Sequence, residues 1–286
     1  MFPVELLISH YISMNKVFAI CNQKGGTGKT TSAINIAAYI ALAGKKALLV
    51  DLDPQANATS GVGIDRHKIK QSTYHILLEE LGIKEIIQKT AIPNLFIAPA
   101  NLDLTGAEVE LVSALGREYR LKKALATVRE EYDYIIIDSP PSLGLLTINS
   151  LSAADSILIP VQCEYYALEG LTQLTNTFNL VKNNLNQGLT IEGVILTMAD
   201  FRTNLTKEVI NEVKKNFPGR VYDTVIPRSI RLSEAPSYGK PIVIYDKDNI
   251  GAKKYEELTK EILGSGTVSS KNDFDTVIQE PQSQEA

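Results

Sequence analysis

Short apolar runs alternate with stretches of helical periodicity along most of this chain. Seven runs are typical of buried strands, and they cover 17–21, 46–50, 95–98, 134–137, 156–161, 193–198 and 221–226. After the first run, apolar residues repeat at helical spacing over 29–43, and Gly44 stands where a helix C-terminal cap belongs. The alternation predicts an α/β fold with a mostly parallel, twisted sheet and helices on both of its faces.

Two apolar stripes lie on later predicted helices. The first comprises Leu168, Leu171, Leu174, Phe178, Val181 and Leu185, and the second comprises Val209, Ile210, Val213 and Phe217. Stripes at this spacing usually pack into a core. We expect core packing for the first, with a partner-binding groove as the alternative. The second leaves Lys207, Lys214 and Lys215 free for solvent or phosphate.

The loop 23–31, with the sequence QKGGTGKTT, joins the first predicted strand to the first predicted helix. Glycines let backbone N–H groups surround a polyphosphate, and the positive end of the helix dipole faces the same anion. In such a loop Lys29 reaches the terminal phosphates and Thr30 offers its hydroxyl to Mg²⁺. The candidate ATP-binding residues of the loop are Lys24, Gly25, Gly26, Thr27, Gly28, Lys29, Thr30 and Thr31.

The loop departs from the usual phosphate-binding motif at two positions. Gln23 replaces the first glycine, and Lys24 adds a second lysine. Because Lys29 already supplies the cation that the terminal phosphates need, Lys24 is better placed to serve the phosphate of another subunit. The pattern is a deviant Walker A motif, which predicts a P-loop NTPase of that type.

Three acids follow predicted strands. Asp51 and Asp53 end one strand, and Asp138 ends the run YIIID as a Walker B acid does. Ligands bind at this edge of open α/β sheets, so the pair favours water activation and a place near Mg²⁺, although either acid alone could be a helix or turn cap. Asp138 is expected to hold Mg²⁺ through water, because magnesium dehydrates reluctantly.

Five longer segments of the sequence resemble one particular protein family. They read KGGTGKTT, LLVDLDPQANATSG, NLDLTGAEVELV, YDYIIIDSPPSLG and IPRSIRLSEAPSYGKPI. Together they resemble the ParA/Soj branch of the ParA/MinD ATPases from about residue 14 to about residue 263. The resemblance implies an ATP-dependent sandwich dimer, slow hydrolysis stimulated by a ParB-like partner, and nonspecific binding of the dimer to double-stranded DNA.

The resemblance also assigns roles to single residues. It implies that Lys24 acts catalytically on the ATP of the partner subunit and that Asp53 is the acid needed for hydrolysis. Four further contacts rest on the resemblance alone: Pro227 and Arg228 on the adenine side of ATP, and Arg202 and Arg231 on DNA.

Charge is unevenly distributed along the 286 residues. The net charge of −4 argues against a generally basic nucleic-acid binder. The segment 200–240 nevertheless carries eight basic and five acidic residues, a surplus of +3. That surplus permits a local DNA-binding face. The alternative is that Arg202 and Arg231 are solvated or pair with acids such as Asp200 and Glu234.

The sequence lacks the residues that are typical of two related classes of ATPase. Iron–sulfur relatives need cysteine ligands, commonly with a CxxC pair, but only Cys21 and Cys163 are present. The MinD branch uses a basic amphipathic helix at its C-terminal end to bind membranes, whereas residues 265–286 are acidic and rich in Gln. We therefore expect no membrane partner. Two cysteines, no signal peptide and the resemblance predict a cytoplasmic, nucleoid-associated protein.

We expect three parts in the chain. Residues 1–13 are an N-terminal extension, either a mis-called start or a loose amphipathic segment, residues 14–264 are the ATPase domain, and residues 265–286 are a disordered acidic tail. The favoured function is ATP-dependent partitioning of a chromosome or plasmid. The alternatives are a regulatory ATPase that acts mainly through protein binding, in replication or transcription control, and an orphan ATPase that positions a protein cargo.

Overall fold

A single seven-stranded sheet organises the computed structural model, which describes residues 15–164 and 167–264, with Leu168 and Glu169 as backbone alone. Its strands are β1 Lys16–Ile20, β2 Ala47–Asp51, β3 Gln88–Lys89, β4 Leu95–Ala98, β5 Tyr134–Asp138, β6 Ser156–Gln162 and β7 Thr190–Thr197. The strand order is β3-β4-β2-β5-β1-β6-β7. Every neighbouring pair is parallel except β3 with β4. The predicted extension 1–13 and tail 265–286 lie outside the described residues.

Helices connect the strands and flank the sheet. They are α1 Lys29–Leu42, α2 Asn57–Gly61, α3 Thr73–Leu77, α4 Ile83–Ile86, α5 Leu104–Glu110, α6 Arg120–Ala126, α7 Leu145–Ala153, α8 Ala167–Asn184, α9 Asn204–Asn216, α10 Ile230–Glu234, α11 Ile242–Tyr245 and α12 Ile250–Leu263. Short 3-10 turns cover Arg66–Lys68 and Ala235–Tyr238, among others. Within the part of the chain that the structure describes, no helix has the length and apolar composition needed to cross a bilayer.

The core has two layers because side chains along a strand point alternately to the two faces of the sheet. In β1, Val17 and Ala19 join one apolar cluster, which includes residues of α6, α7 and α8. Phe18 and Ile20 join the other cluster, with α1 and α12. Both faces are therefore covered, and the predicted mostly parallel α/β sheet with helices on both faces is confirmed.

The predicted apolar stripes pack into the first of these clusters. On α8, Leu171, Leu174, Phe178 and Val181 are buried, and Leu185, just after the helix, is partly buried. Leu168 belongs to the same predicted stripe, but its side chain lies outside the described residues. On α9, Val209 and Val213 are buried, and Ile210 and Phe217, the residue after the helix, pack against the same cluster. The stripes are thus core positions in the folded chain.

The predicted strand over 221–226 is wrong. This segment forms isolated bridges instead of a continuous ladder, one between Val221 and Val194 of β7 and one between Pro227 and Ala199 just after β7. The backbone N–H groups of Asp223 and Thr224 donate instead to the carboxylate of Glu261 on α12, at 3.0 Å and 2.9 Å. Since these donors are taken by a side chain, the segment leaves the ladder between its two bridges. A sequence pattern cannot reveal that a distant glutamate replaces the partner strand.

Two buried tyrosines provide a matched test of this packing. The Tyr222 hydroxyl is buried without a hydrogen-bond partner among the described residues, whereas the Tyr255 hydroxyl lies 3.0 Å from Ser32 Oγ. Folding costs free energy when a hydroxyl loses water and gains no partner. Tyr222→Phe should therefore raise the free energy of unfolding by about 1 kcal/mol, and Tyr255→Phe should lower it by about 1 kcal/mol. Urea unfolding measures both, and a similar decrease in the two variants would contradict the difference between the hydroxyls.

Candidate active site

The loop between β1 and α1 has the backbone geometry of a phosphate cradle. Gly26 and Gly28 adopt positive φ angles of 75° and 85°, which favour glycine. Gly28 is also the residue before the N-terminus of α1, a helix of 14 residues. The Thr197 hydroxyl, at the end of β7, donates to the carbonyl of Thr27 at 2.9 Å and anchors the loop. The loop N–H groups and the dipole of α1 point to an anion site at this loop.

Lys29 lies inside this cradle. Its side chain is almost fully buried, and its Nζ donates to the carbonyl of Lys24 at 3.1 Å. Burial lowers the pKa of Lys29, and the nearby Asp138 carboxylate opposes that shift. The ammonium group is thus held by a neutral carbonyl of its own loop. A phosphate offers it a stronger, charged acceptor.

The acids at the strand ends converge beside the loop because their strands are neighbours. Asp138 pairs in register with Ile20 on β1 and with Asp51 on β2. Both carboxylate oxygens of Asp138 are buried without a hydrogen-bond partner among the described residues. Burial, followed by the charge of Asp51, raises the pKa of Asp138 well above its usual range, and Lys29 acts in the opposite direction. Asp138 is therefore a desolvated acid that its protein neighbours compensate only weakly.

The residues around Asp138 fit a magnesium site. Thr30 lies close enough to lower the pKa of the Asp138 carboxyl, although no hydrogen bond of normal geometry joins the two side chains. A single orphaned carboxylate and a hydroxyl suit an ion that keeps several waters and takes further oxygens from phosphate. Among the side chains that the structure describes, no cluster of three or more His, Cys, Asp or Glu forms a cage made of protein ligands alone.

Asp51 has a structural place in the site. Its carboxylate accepts the backbone N–H and the hydroxyl of Thr59 at 2.8 Å and 2.7 Å, and the N–H of Asp53 at 3.1 Å. Burial raises the pKa of Asp51 to about 6, while the Thr59 hydrogen bonds lower it. Because these contacts occupy the carboxylate, Asp51 caps the start of the following loop. This placement corresponds to the capping alternative for that acid.

Asp53 is 8% exposed and lies in the same loop. One of its carboxylate oxygens accepts the N–H of Gln55 at 2.9 Å, and its carbonyl accepts the N–H of Ala56 at 2.8 Å. Ala56 has a φ of 50°, a strained value for a residue with a Cβ. Asp53 is thus held at the mouth of the site by a tight turn, and its role in hydrolysis stays a prediction.

Lys24 points away from its own phosphate cradle. Its Nζ lies 3.2 Å from the carboxylate of Glu164, and Arg228 approaches the same carboxylate at 3.6 Å. The side chains of all three residues are about half exposed. The exposed position leaves Lys24 accessible to a second molecule, while Lys29 lies within the cradle.

A pocket adjoins the cradle on the side where the adenine contacts are predicted. It contains about 460 Å³ of empty space, part of it open to solvent. Gly28 and Thr31, from the cradle and the start of α1, line it together with Pro227 and Arg228. The structure therefore brings these two predicted residues next to the loop, in a pocket of suitable size for part of a nucleotide.

The two predicted DNA-binding arginines are exposed but already paired. Arg202 forms a two-pronged contact with Asp200, at 2.8 Å and 2.6 Å, which lowers the pKa of Asp200 to about 2. Arg231 lies 3.1 Å from Glu234 and 3.6 Å from Asp246. These pairs are the alternative expected from the sequence. Such exposed pairs are weak, so they permit exchange for phosphate without demonstrating it.

Comparison with known proteins identifies the family. The family model described as an AAA domain matches residues 15–191. The sporulation initiation inhibitor protein Soj of Bacillus subtilis strain 168 is 58% identical over 253 residues, which cover 88% of this chain and 100% of Soj. The chain belongs to the ParA/Soj family of chromosome-partitioning ATPases.

Two further relatives extend this comparison. The chromosome partitioning protein ParA of Myxococcus xanthus strain DK1622 is 52% identical over 260 residues, covering 91% of this chain and 92% of that protein. The crystal structure of cobyrinic acid a,c-diamide synthase from Mycobacterium smegmatis with bound ADP and magnesium has a TM-score of 0.78 and 36% identity. The match covers 87% of this chain and 94% of that chain. This ParA/Soj member thus shares both fold and sequence with a nucleotide-bound neighbour.

Three residues of the site in this ParA/Soj ATPase were not predicted from the sequence. Glu164 holds Lys24 and Arg228, Thr59 satisfies Asp51, and Thr197 anchors the phosphate loop. Glu164 and Thr197 each stand at or just after the end of an apolar strand, the same signal that revealed Asp138. Thr59 gave no such signal, because it lies in the short helix α2.

Asp51 yields a pH-dependent prediction through its Thr59 contact. Thr59→Val removes a hydroxyl donor from a buried carboxylate, so the folded-state pKa of Asp51 should rise further above its unfolded value. Stability is then lost as the pH rises through about 6, where Asp51 must ionise without that donor. We expect the free energy of unfolding to fall by about 2 kcal/mol at pH 8 and by less at pH 5. The decrease at pH 5 includes the bond from the Ala100 N–H to the Thr59 hydroxyl.

Thr73→Val is the matched control for that variant. The Thr73 hydroxyl donates to the main-chain carbonyl of Asp51 at 2.9 Å, so its removal should cost about 1 kcal/mol at either pH. Urea unfolding at the two pH values gives both quantities. Parallel pH profiles of the free energy of unfolding for the two variants would show that the Thr59 hydroxyl does not affect the pKa of Asp51.

Proposed function

We propose that this chain is an ATP-driven switch for the segregation of chromosomal or plasmid DNA. ATP and Mg²⁺ bind at the phosphate loop and bring two protomers together as a sandwich dimer. The dimer binds double-stranded DNA without sequence preference, at the nucleoid, and hydrolysis stimulated by a ParB-like protein releases it. The observation that carries the proposal is the orphaned carboxylate of Asp138 beside Lys29 and Thr30.

The comparisons support the coarser part of this proposal. Relatives with more than half of their aligned residues identical are named for chromosome partitioning, and a structural neighbour contains ADP and magnesium. The shared fold and the strand-end acids make the same ligands reasonable here. Dimerisation, DNA binding and stimulation by a partner rest on the ParA/Soj resemblance and on the positions of single residues.

ATP binding follows from groups already in place. The N–H groups of the loop and the N-terminus of α1 would bind the phosphates, and Lys29 would exchange the Lys24 carbonyl for a terminal phosphate. Thr30, and Asp138 through water, would hold Mg²⁺, whose charge neutralises part of the phosphate charge when it is bound. Pro227 and Arg228 would line the adenine side.

Hydrolysis needs an oriented water and stabilisation of the charge that develops on the phosphates. Asp53, held at the mouth of the site, would orient the water. Lys24 would leave Glu164 and reach the phosphates of the partner subunit. Because the second cation comes from another protomer, hydrolysis is tied to dimer formation.

State-dependent DNA binding tests the proposed function. A short duplex of arbitrary sequence should bind with ATP and bind poorly with ADP or without nucleotide, and a ParB-like protein should shorten the lifetime of the bound state. Arg202→Ala and Arg231→Ala should each weaken binding and lower the log–log salt slope by roughly 0.9 for each phosphate that the variant no longer neutralises. Lys122→Ala, an exposed lysine on α6, is the control. Equal DNA binding in all three nucleotide states would exclude the switch.

The two loop lysines should separate ATP binding from dimerisation. Lys29→Ala should abolish ATP binding, because it removes the cation inside the cradle. Lys24→Ala should retain appreciable ATP binding but fail to form the ATP-dependent dimer, because its charge serves the other subunit. Bound-nucleotide assays and light scattering measure the two steps. A Lys24→Ala protein that dimerises normally with ATP would remove the trans role from Lys24.

A further inference from the structure

An open groove lies on the surface between the loop that follows Asp53 and the turn before α11. It contains about 1020 Å³ of empty space, including open solvent. Asn57, Ser60, Arg66 and His67 line one side, and Ser237 and Tyr238 line the other. The groove is separate from the adenine pocket, and none of its lining residues has a role in the proposed ATP chemistry.

Arg66 gives the groove a positive charge. Among the side chains that the structure describes, no carboxylate lies within ion-pair distance of Arg66, whereas Arg202 and Arg231 both have acidic partners. Asp65 also lines the groove, but it pairs with Lys68 at 3.3 Å. The groove therefore presents a guanidinium without an acidic partner, together with amide and hydroxyl side chains, His67 and a carboxylate that Lys68 pairs with, and the guanidinium is the group suited to phosphate oxygens.

The far wall of the groove continues to Arg231. Tyr238 stacks on Tyr245 with a ring separation of 5.1 Å, and the Arg231 guanidinium lies 5.8 Å from the Tyr245 ring centre. The 3-10 turn Ala235–Tyr238 follows α10, which carries Arg231. Arg66 and Tyr238 thus line the same groove, and Tyr238 stacks on the tyrosine that Arg231 approaches, which puts both arginines near one aromatic pair.

Arg66 also contacts the loop that carries Asp53. Its Nη1 donates to the carbonyl of Gln55 at 2.5 Å, and the N–H of Gln55 donates to Asp53 at 2.9 Å. Arg66 and His67 line a second pocket as well, of about 440 Å³, with Pro54 and Gln55. The Arg66 side chain therefore forms the wall between the groove and the turn that holds Asp53.

We propose that this groove binds backbone phosphates of DNA through Arg66, and that Arg66 couples its occupancy to the Asp53 loop. The inference rests on the proposed function, because it adds a DNA contact to the same switch. A phosphate in the groove competes with the Gln55 carbonyl for the guanidinium. Its binding loosens the turn that holds Asp53, so DNA alters the rate of ATP hydrolysis.

DNA fits the groove better than an acidic protein segment does. The groove is open and offers mainly guanidinium, amide and hydroxyl donors, which position a phosphate backbone without reading its bases. An acidic peptide binds stably when apolar anchors accompany its charges, but Ile64 and Pro236 are the main aliphatic side chains among the lining residues. The position of Arg231 near the same aromatic pair further favours an extended polyanion.

The test compares Arg66→Ala, Arg66→Lys and Lys122→Ala in the full chain. With a non-hydrolysable ATP analogue, anisotropy of a short fluorescent duplex gives the salt dependence of binding. Arg66→Ala should lower the log–log slope by roughly 0.9 for each phosphate that is no longer bound, and Arg66→Lys should restore most of it because the charge returns. Lys122→Ala should match the parent. In single-turnover experiments, saturating DNA should change the rate of ATP hydrolysis by the parent. The rate of hydrolysis by Arg66→Ala should be the same with and without DNA.

The outcomes separate this inference from the proposed function. If the parent binds DNA only with ATP and Arg66→Ala keeps the parental salt slope, the groove site is wrong and the switch stands. If the parent binds DNA equally in every nucleotide state, the switch itself fails. An Arg66→Ala protein with unchanged DNA binding that no longer responds to a ParB-like protein would make the groove a protein site and overturn the inference. A parental hydrolysis rate that DNA leaves unchanged would overturn the coupling.

Discussion

The fold holds a desolvated carboxyl group, whose charged form burial disfavours, next to a lysine that donates to a neutral carbonyl. Asp138 lies at the end of β5, between the strand that leads into the phosphate loop and the strand that ends in Asp51. Parallel pairing brings these strand ends to one edge, and the helices on both faces keep water away from them. Protein groups alone therefore leave the site electrostatically uncompensated, and ligands that bring phosphate and a divalent cation relieve both charges at once.

This constraint divides the work between two neighbouring acids. Asp51 is fully enclosed and accepts three hydrogen bonds, one from Asp53 and two from Thr59 on α2, while Asp53 lies two residues later and is slightly exposed. The hydrogen bonds of Asp51 fix the turn, and the turn fixes the position of Asp53. The N–H of Asp53 donates to Asp51, and the Asp53 carboxylate accepts the N–H of Gln55. The Gln55 carbonyl in turn accepts a hydrogen bond from Arg66. The position of the second acid thus depends on contacts that reach the protein surface.

Much of this arrangement could be predicted from the sequence, because it is local. Short runs of sequence determine the phosphate loop, the strands and the strand-end acids, so the residue types in each run are enough to predict its local geometry. Contacts between distant segments could not be predicted in this way. Glu261 accepts the backbone N–H groups of residues 223 and 224, which therefore do not pair with β7, and Glu164 pairs with both Lys24 and Arg228. Neither contact can be recognised from the periodicity or spacing of the sequence. Asp200 and Glu234 could be predicted as partners of Arg202 and Arg231 because they are near in sequence, whereas Asp246, the second partner of Arg231, could not.

The two edges of the sheet have a consequence for how copies of this chain meet. On one side the outermost strand, β3, is two residues long and antiparallel to its neighbour. On the other side, the segment after α9 bonds to the backbone of β7 at Val194 and Leu196. Short or covered edges offer no template for strand addition. Copies of this chain are thereby protected from joining edge to edge into continuous β structure.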